Sequence, residues 1–176
     1  MVAFNNQNVA VKGKTLTVAS PATRATRTWA ARLPDTTSCL VASGNATLLQ
    51  RLDAAADLAG WSECDAAVDV DSLRGAVSGD HQLVVVDLAS PLDGDAKAVV
   101  AVAEVLSQQP GTLLVVCGAD GCPDHERWAR SIGAFLYLPG VTRGDDLVSL
   151  FAEARRVAGR WSSLPRQWNK SRKAAC

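Results

Sequence analysis

The sequence predicts an α/β fold, a doubly wound five-stranded parallel sheet with helices on both faces. From Ser38 onward, five short apolar runs alternate with five segments of helical period, and βα units repeated in series close into a parallel sheet. The third and fourth runs, LVVV (83–86) and LLVV (113–116), are apolar at every position, as central strands covered on two sides must be. Turn residues punctuate the units, as at Gly60 and at Pro110-Gly111.

The first unit pairs SCLVAS (38–43) with NATLLQRLDAAADLAG (45–60). Here Leu48, Leu49, Leu52, Ala56 and Leu58 recur at helical spacing, Asn45 is placed to cap the helix N-terminus, and Gly60 its C-terminus. A weaker second unit joins SECDAAV (62–68) to DVDSLRGAV (69–77). The third joins HQLVVVD (81–87) to GDAKAVVAVAEVLSQQ (94–109), with Asp93 and Asp95 expected to open its helix, where carboxylates are favourable. The fourth runs from TLLVVC (112–117) to PDHERWARSIG (123–133), the fifth from AFLYL (134–138) to GDDLVSLFAEARRVAGRW (144–161).

The expected organisation is an N-terminal extension, 1–37, then a domain at 38–160, then a basic C-terminal tail, 161–176. Within the extension, VAVKGKTLTV (9–18) alternates like a small hairpin about Gly13, and a linker follows. Charge is uneven: five basic residues face one acid in 1–37, seven face none in 155–176, and the body between is acidic. Solvated basic ends are the simpler reading. Arg155, Arg156, Arg160, Trp161 and Trp168 come with no recognised nucleic-acid module, so nucleic acid is not an expected partner.

No run reaches the roughly 18 apolar residues of a membrane helix, and 1–14 lacks a secretory apolar segment. A cytoplasmic protein without a membrane span is expected. The five cysteines are odd in number and lack Cys-x-x-Cys spacing, which predicts reduced thiols. Cys117, Cys122 and His125 fit no common zinc spacing, so no metal is expected there. Neither GxGxxG nor GxxxxGK[ST] occurs, His81 and His125 are expected at the surface, and Trp29, Trp61 and Trp128 in or near the core.

In such a sheet, functional groups gather outside the carboxyl ends of the strands. Asp87 sits at one such end, and alone it predicts no more than a carboxylate capping its own turn. The segment VVVDLASPLDG around it, with Pro91 and Asp93-Gly94, and GAFLYLPG, with Gly133, Ala134 and Tyr137, resemble two segments of the receiver domain of bacterial response regulators. The resemblance spans roughly residues 38–158. It implies a flavodoxin-like strand order 2-1-3-4-5, Asp87 as the phosphoacceptor, and Cys117 and Tyr137 as the switch positions.

Departures from the family shape the functional expectation. Ser43 and Gly44 stand where the family has the acidic pair that holds Mg²⁺, Cys117 where it has a small hydroxyl, and 138–141 lacks its lysine. One carboxylate is a poor site for a hard cation, and phosphoryl transfer depends on positioning and charge stabilisation. The expectation is a degenerate receiver-like domain of two-component signalling, not an enzyme, without cofactor and with weak Mg²⁺ binding at most. It would act on a protein partner through about 123–161, with a homodimer left open. Two alternatives stand beside it: a working phospho-receiver using Asp87, and a small-ligand or nucleotide-binding domain using the loops after strands one and three.

Overall fold

A computed structural model describes residues 37–140 and 144–162; the N-terminal hairpin about Gly13, Trp29, Val141 to Arg143 and Trp168 lie outside them. Five βα units follow in order: β1 (Ser38–Ala42), α1 (Ala46–Leu58), β2 (Glu63–Ala67), α2 (Val70–Ala76), β3 (Leu83–Asp87), α3 (Ala96–Ser107), β4 (Leu113–Gly118), α4 (Pro123–Ser131), β5 (Leu136–Pro139) and α5 (Gly144–Ser162). A single 3-10 turn, Leu92–Gly94, precedes α3. The sheet is parallel throughout with order β2-β1-β3-β4-β5.

Every residue of β3 and β4 is buried, and the central rung aligns Val41, Val85 and Val115. Because side chains alternate across a strand, one strand set divides between two cores. Leu40, Ala42, Val84, Val86, Leu114 and Val116 face Leu73 of α2, Val99 and Ala103 of α3 and Ala129 of α4. Cys39, Val41, Leu83, Val85, Leu113, Val115 and Cys117 face Leu52, Ala55 and Ala56 of α1 and Leu147, Phe151, Ala154 and Ala158 of α5. Burial of Phe151, wholly inaccessible, contributes about 2–3 kcal/mol. Trp61 closes the second core and donates its indole N–H to the Phe151 carbonyl at 3.1 Å.

Capping follows the sequence where short polar residues precede a helix. Asn45 accepts from the amides of Thr47 and Leu48, and Gly60 takes a left-handed φ of 80° just past α1. Asp95 caps α3 through the Ala98 amide at 2.9 Å. Asp93 does not join it. Its backbone sits at φ 53°, and its carboxylate reaches the Val70 amide at 3.0 Å, tying the β3–α3 loop to the first turn of α2.

Three other expectations are corrected. Leu58 matches the helical period of α1 yet is 76% exposed, because it ends the helix on the side away from the sheet. His81 is not a freely exposed residue, since only 10% of its side chain is accessible, beside Ser38 and Asp65. The fifth strand begins at Leu136 rather than 134, Phe135 and Leu136 being exposed at the sheet edge.

Candidate functional site

Asp87 ends the central strand, and the period of two directs its carboxylate to the α1/α5 face beside Cys117, its register partner on β4. It is 2% exposed. A buried carboxylate is costly unless its oxygens are hydrogen-bonded, and here both are. Oδ1 accepts from the amides of Ala89 (2.9 Å) and Ser90 (3.2 Å), the turn expected of a short acidic side chain. Oδ2 accepts from the Ser43 hydroxyl at 2.6 Å, within the short range of charge-assisted O–H···O⁻ bonds. Among the described residues, no lysine or arginine pairs with Asp87.

Ser43 therefore serves as a donor to the carboxylate. Its oxygen also accepts from the Asn45 amide at 3.0 Å, which links Asp87 to the cap of α1. Gly44 is hemmed in from the next loop. Its amide donates to the Ser90 carbonyl at 2.7 Å, and a Cβ at 44 would lie 2.9 Å from the Pro91 carbonyl oxygen and 3.1 Å from that of Ser90. The loop after β3 thus folds over the position where an acidic side chain would stand.

Cys117 is buried under this cluster, and burial first, then the Asp87 charge, pushes its thiol up to about 12. It stays neutral at ordinary pH. Tyr137, half-buried, lies over Gly118, its hydroxyl donating to the carbonyls of Ala119 (3.4 Å) and Cys122 (3.5 Å). Its pKa is raised, chiefly by burial. At the end of β5, Gly140 donates to the Gly118 carbonyl at 2.9 Å and packs on Asp120. No cationic side chain occupies 138–140.

Above Asp87 opens a cleft of about 290 Å³ lined by Asn45, Leu48, Ser90, Asp120, Gly140 and Leu147 among others. The structure thus brings Asp87, Ser43, Gly44 and Cys117 together at adjacent strand ends, with Tyr137 beside them across Gly118. Asp120 at the cleft wall and the Ser90 carbonyl over Gly44 were not singled out from the sequence. Asp120 stands three residues beyond Cys117, so its distance from the strand end was the available clue, whereas the Ser90 contact leaves no mark in residue type. The donor set fits Mg²⁺ poorly. Asp87 is buried with three of its acceptor positions already taken, its neighbour is a hydroxyl donor, and the third position is closed to side chains. No group of three His, Cys, Asp or Glu is arranged to hold a metal among the described residues. Cys117 lies in the α1/α5 core, while His125 accepts from the Ala119 amide at 3.4 Å in the first turn of α4.

No family model matches the sequence, and no curated protein matches it. Solved structures do match the fold. The chain is similar to a CheY-like response regulator receiver domain protein from Methanospirillum hungatei JF-1, with a TM-score of 0.60 and 14% identity over 71% of this chain and 98% of that one. A response regulator from Thermotoga maritima aligns with a TM-score of 0.56 and 16% identity, over 69% and 98% of the two chains. For a receiver domain protein from Clostridium thermocellum the values are 0.55 and 21%, over 69% and 95%. The strand order and the flanking helices are those of the CheY-like, flavodoxin-like fold.

Proposed function

We propose that this chain is a receiver-type signalling module that works by docking a protein partner, without Mg²⁺-dependent transfer of a phosphoryl group to Asp87. The observation that carries the reading is the state of the carboxylate. Attack on a phosphodonor needs an Asp87 oxygen open to solvent and a cation to neutralise the incoming phosphate, and Asp87 is 2% exposed. Asp87 instead accepts three hydrogen bonds, one of them at 2.6 Å from the residue that replaces an acid. The cluster has become a structural latch between the loops after β1 and β3.

What remains for signalling is surface. Phe135, Leu136 and Trp161 are 43%, 38% and 40% exposed along β5 and the end of α5, and α4 beside them carries the exposed ion pairs Arg127–Asp124 and Arg130–Glu126. Apolar side chains within a charged surround suit a transient protein interface. Among the described residues no helix is long and apolar enough to cross a membrane.

The test is intact-mass measurement after incubation with acetyl phosphate, with and without Mg²⁺, for the native chain and Asp87→Asn. The expected result is no phosphoryl adduct in any sample. A Mg²⁺-dependent adduct on the native chain that Asp87→Asn lacks would overturn the reading and make Asp87 a working phosphoacceptor.

A further inference from the structure

Away from Asp87, on the opposite half of β1, two cysteines stand side by side. Cys39 of β1 and Cys64 of β2 are direct register partners in parallel strands. Neighbouring strands lie about 4.8 Å apart, within the Cα separation that a disulfide spans, about 4.4–6.8 Å. Paired residues of parallel strands project to the same face, and both thiols meet the α1/α5 core. Cys39 is wholly buried and Cys64 half-buried, and both are free thiols. The Cys39 thiol is held protonated first by a hydrogen bond with the Cys64 side chain, then by burial.

The setting permits closure. β2 is the edge strand, five residues long, and four of its five residues are exposed or half-buried. An edge strand with one unpaired side can shift toward its neighbour to bring the two Cβ atoms to the roughly 3.5–4.5 Å that a disulfide spans. Cys64 is the sulfur that solvent reaches. Cys39 waits behind it.

We propose that Cys39 and Cys64 form an oxidisable dithiol that closes to a cross-strand disulfide on exposure to a small-molecule disulfide such as oxidised glutathione. Cys64, as thiolate, attacks one sulfur of the oxidant, breaking its S–S bond and releasing one glutathione thiolate. Cys39 then loses its proton to water and attacks the Cys64 sulfur, and the second glutathione leaves as thiolate. Two protein thiols are oxidised, one disulfide of glutathione is reduced to two thiols, and one S–S bond has replaced another. Because thiol–disulfide exchange runs through thiolates, closure quickens as pH rises.

The experiment incubates the full chain with oxidised glutathione at pH 7 and pH 9, then measures intact mass and maps peptides without reduction. The expected result is a product lighter by two hydrogens, with two fewer thiols open to alkylation, a peptide joining the Cys39 and Cys64 segments, and faster closure at pH 9. Cys64→Ser, a conservative change on the edge strand, should retain the full complement of its remaining thiols and yield no such peptide. A native chain that stops at a glutathione adduct on Cys64, stays fully reduced, or links Cys64 to any other cysteine overturns the proposal. A cross-linked Cys39 in the Cys64→Ser chain overturns it equally.

Discussion

The two ends of strands β1 and β3 hold similar residue types in different ways. At the carboxyl end Ser43 donates to Oδ2 of the buried Asp87 at 2.6 Å, and two amides donate to its Oδ1. At the amino end Ser38 stands 3.4 Å from His81 Nδ1, and His81 Nε2 stands 3.9 Å from Asp65, whose side chain is 65% exposed. The second cluster contains the serine, histidine and aspartate of a hydrolytic triad, but those contacts need about 2.6–3.2 Å. Its serine hydroxyl also lies within 3.3 Å of the Asp80 carbonyl, to which it donates. Depth decides the difference: a charge without water must be held by short bonds, while a wet charge is held mostly by water.

The largest effect is expected where the tight end is opened. In Ser43→Ala, Asp87 Oδ2 loses its hydroxyl donor and the Asn45 amide its acceptor, in a site only 2% exposed. Leaving a buried charged acceptor unpaired costs about 2–3 kcal/mol, which urea unfolding of the variant beside the native chain would measure. A loss below about 0.5 kcal/mol, the scale of an exposed contact, would mean that water already reaches Oδ2. The two ends would then be alike, and the carboxylate would be free for chemistry.

Gly118→Ala probes the same end one strand over, with a smaller effect. A Cβ at 118 would overlap the Tyr137 ring, whose far end can swing away at a cost of about 1–2 kcal/mol. Burial holds the Tyr137 hydroxyl above its ordinary pKa; turning it to solvent removes that cause, so its ionisation moves to lower pH. Tyr137 is the single tyrosine of the chain, and ultraviolet titration of the phenol follows it without interference from another. An unmoved midpoint would show that the ring has stayed inward and the backbone of β4 has yielded.

How much of this was legible in the sequence varies with the range of the interaction. Uninterrupted apolar runs marked β3 and β4, and Asn45 and Asp95 announced their helices, since both effects act within a few residues. Asp87 at a strand end was visible for the same reason. The hydrogen bond from Ser43 to Asp87 spans 44 residues and that from the Val70 amide to Asp93 spans 23, distances at which residue type says little about partners. Asp93 looked like a helix opener because its neighbour Asp95 is one. The pairing of Cys39 with Cys64 and the covering of His81 likewise depend on register, which local pattern does not fix. Leu58 shows the converse, a residue that obeys the period yet faces water.

The smallest effect belongs to the loose end. Asp65→Asn keeps the size of the side chain and removes only its charge opposite His81. The contact is 3.9 Å long, the aspartate is mostly in water, and the histidine is charged only when protonated. Exposed pairs of this kind contribute between nothing and about 1 kcal/mol, and at neutral pH the change should fall within about 0.5 kcal/mol of the native chain in urea unfolding. A cost near that of Ser43→Ala would show that the fold depends on the charge of Asp65 opposite His81. His81 and Asp65 would then form a latch as strong as the one at Asp87.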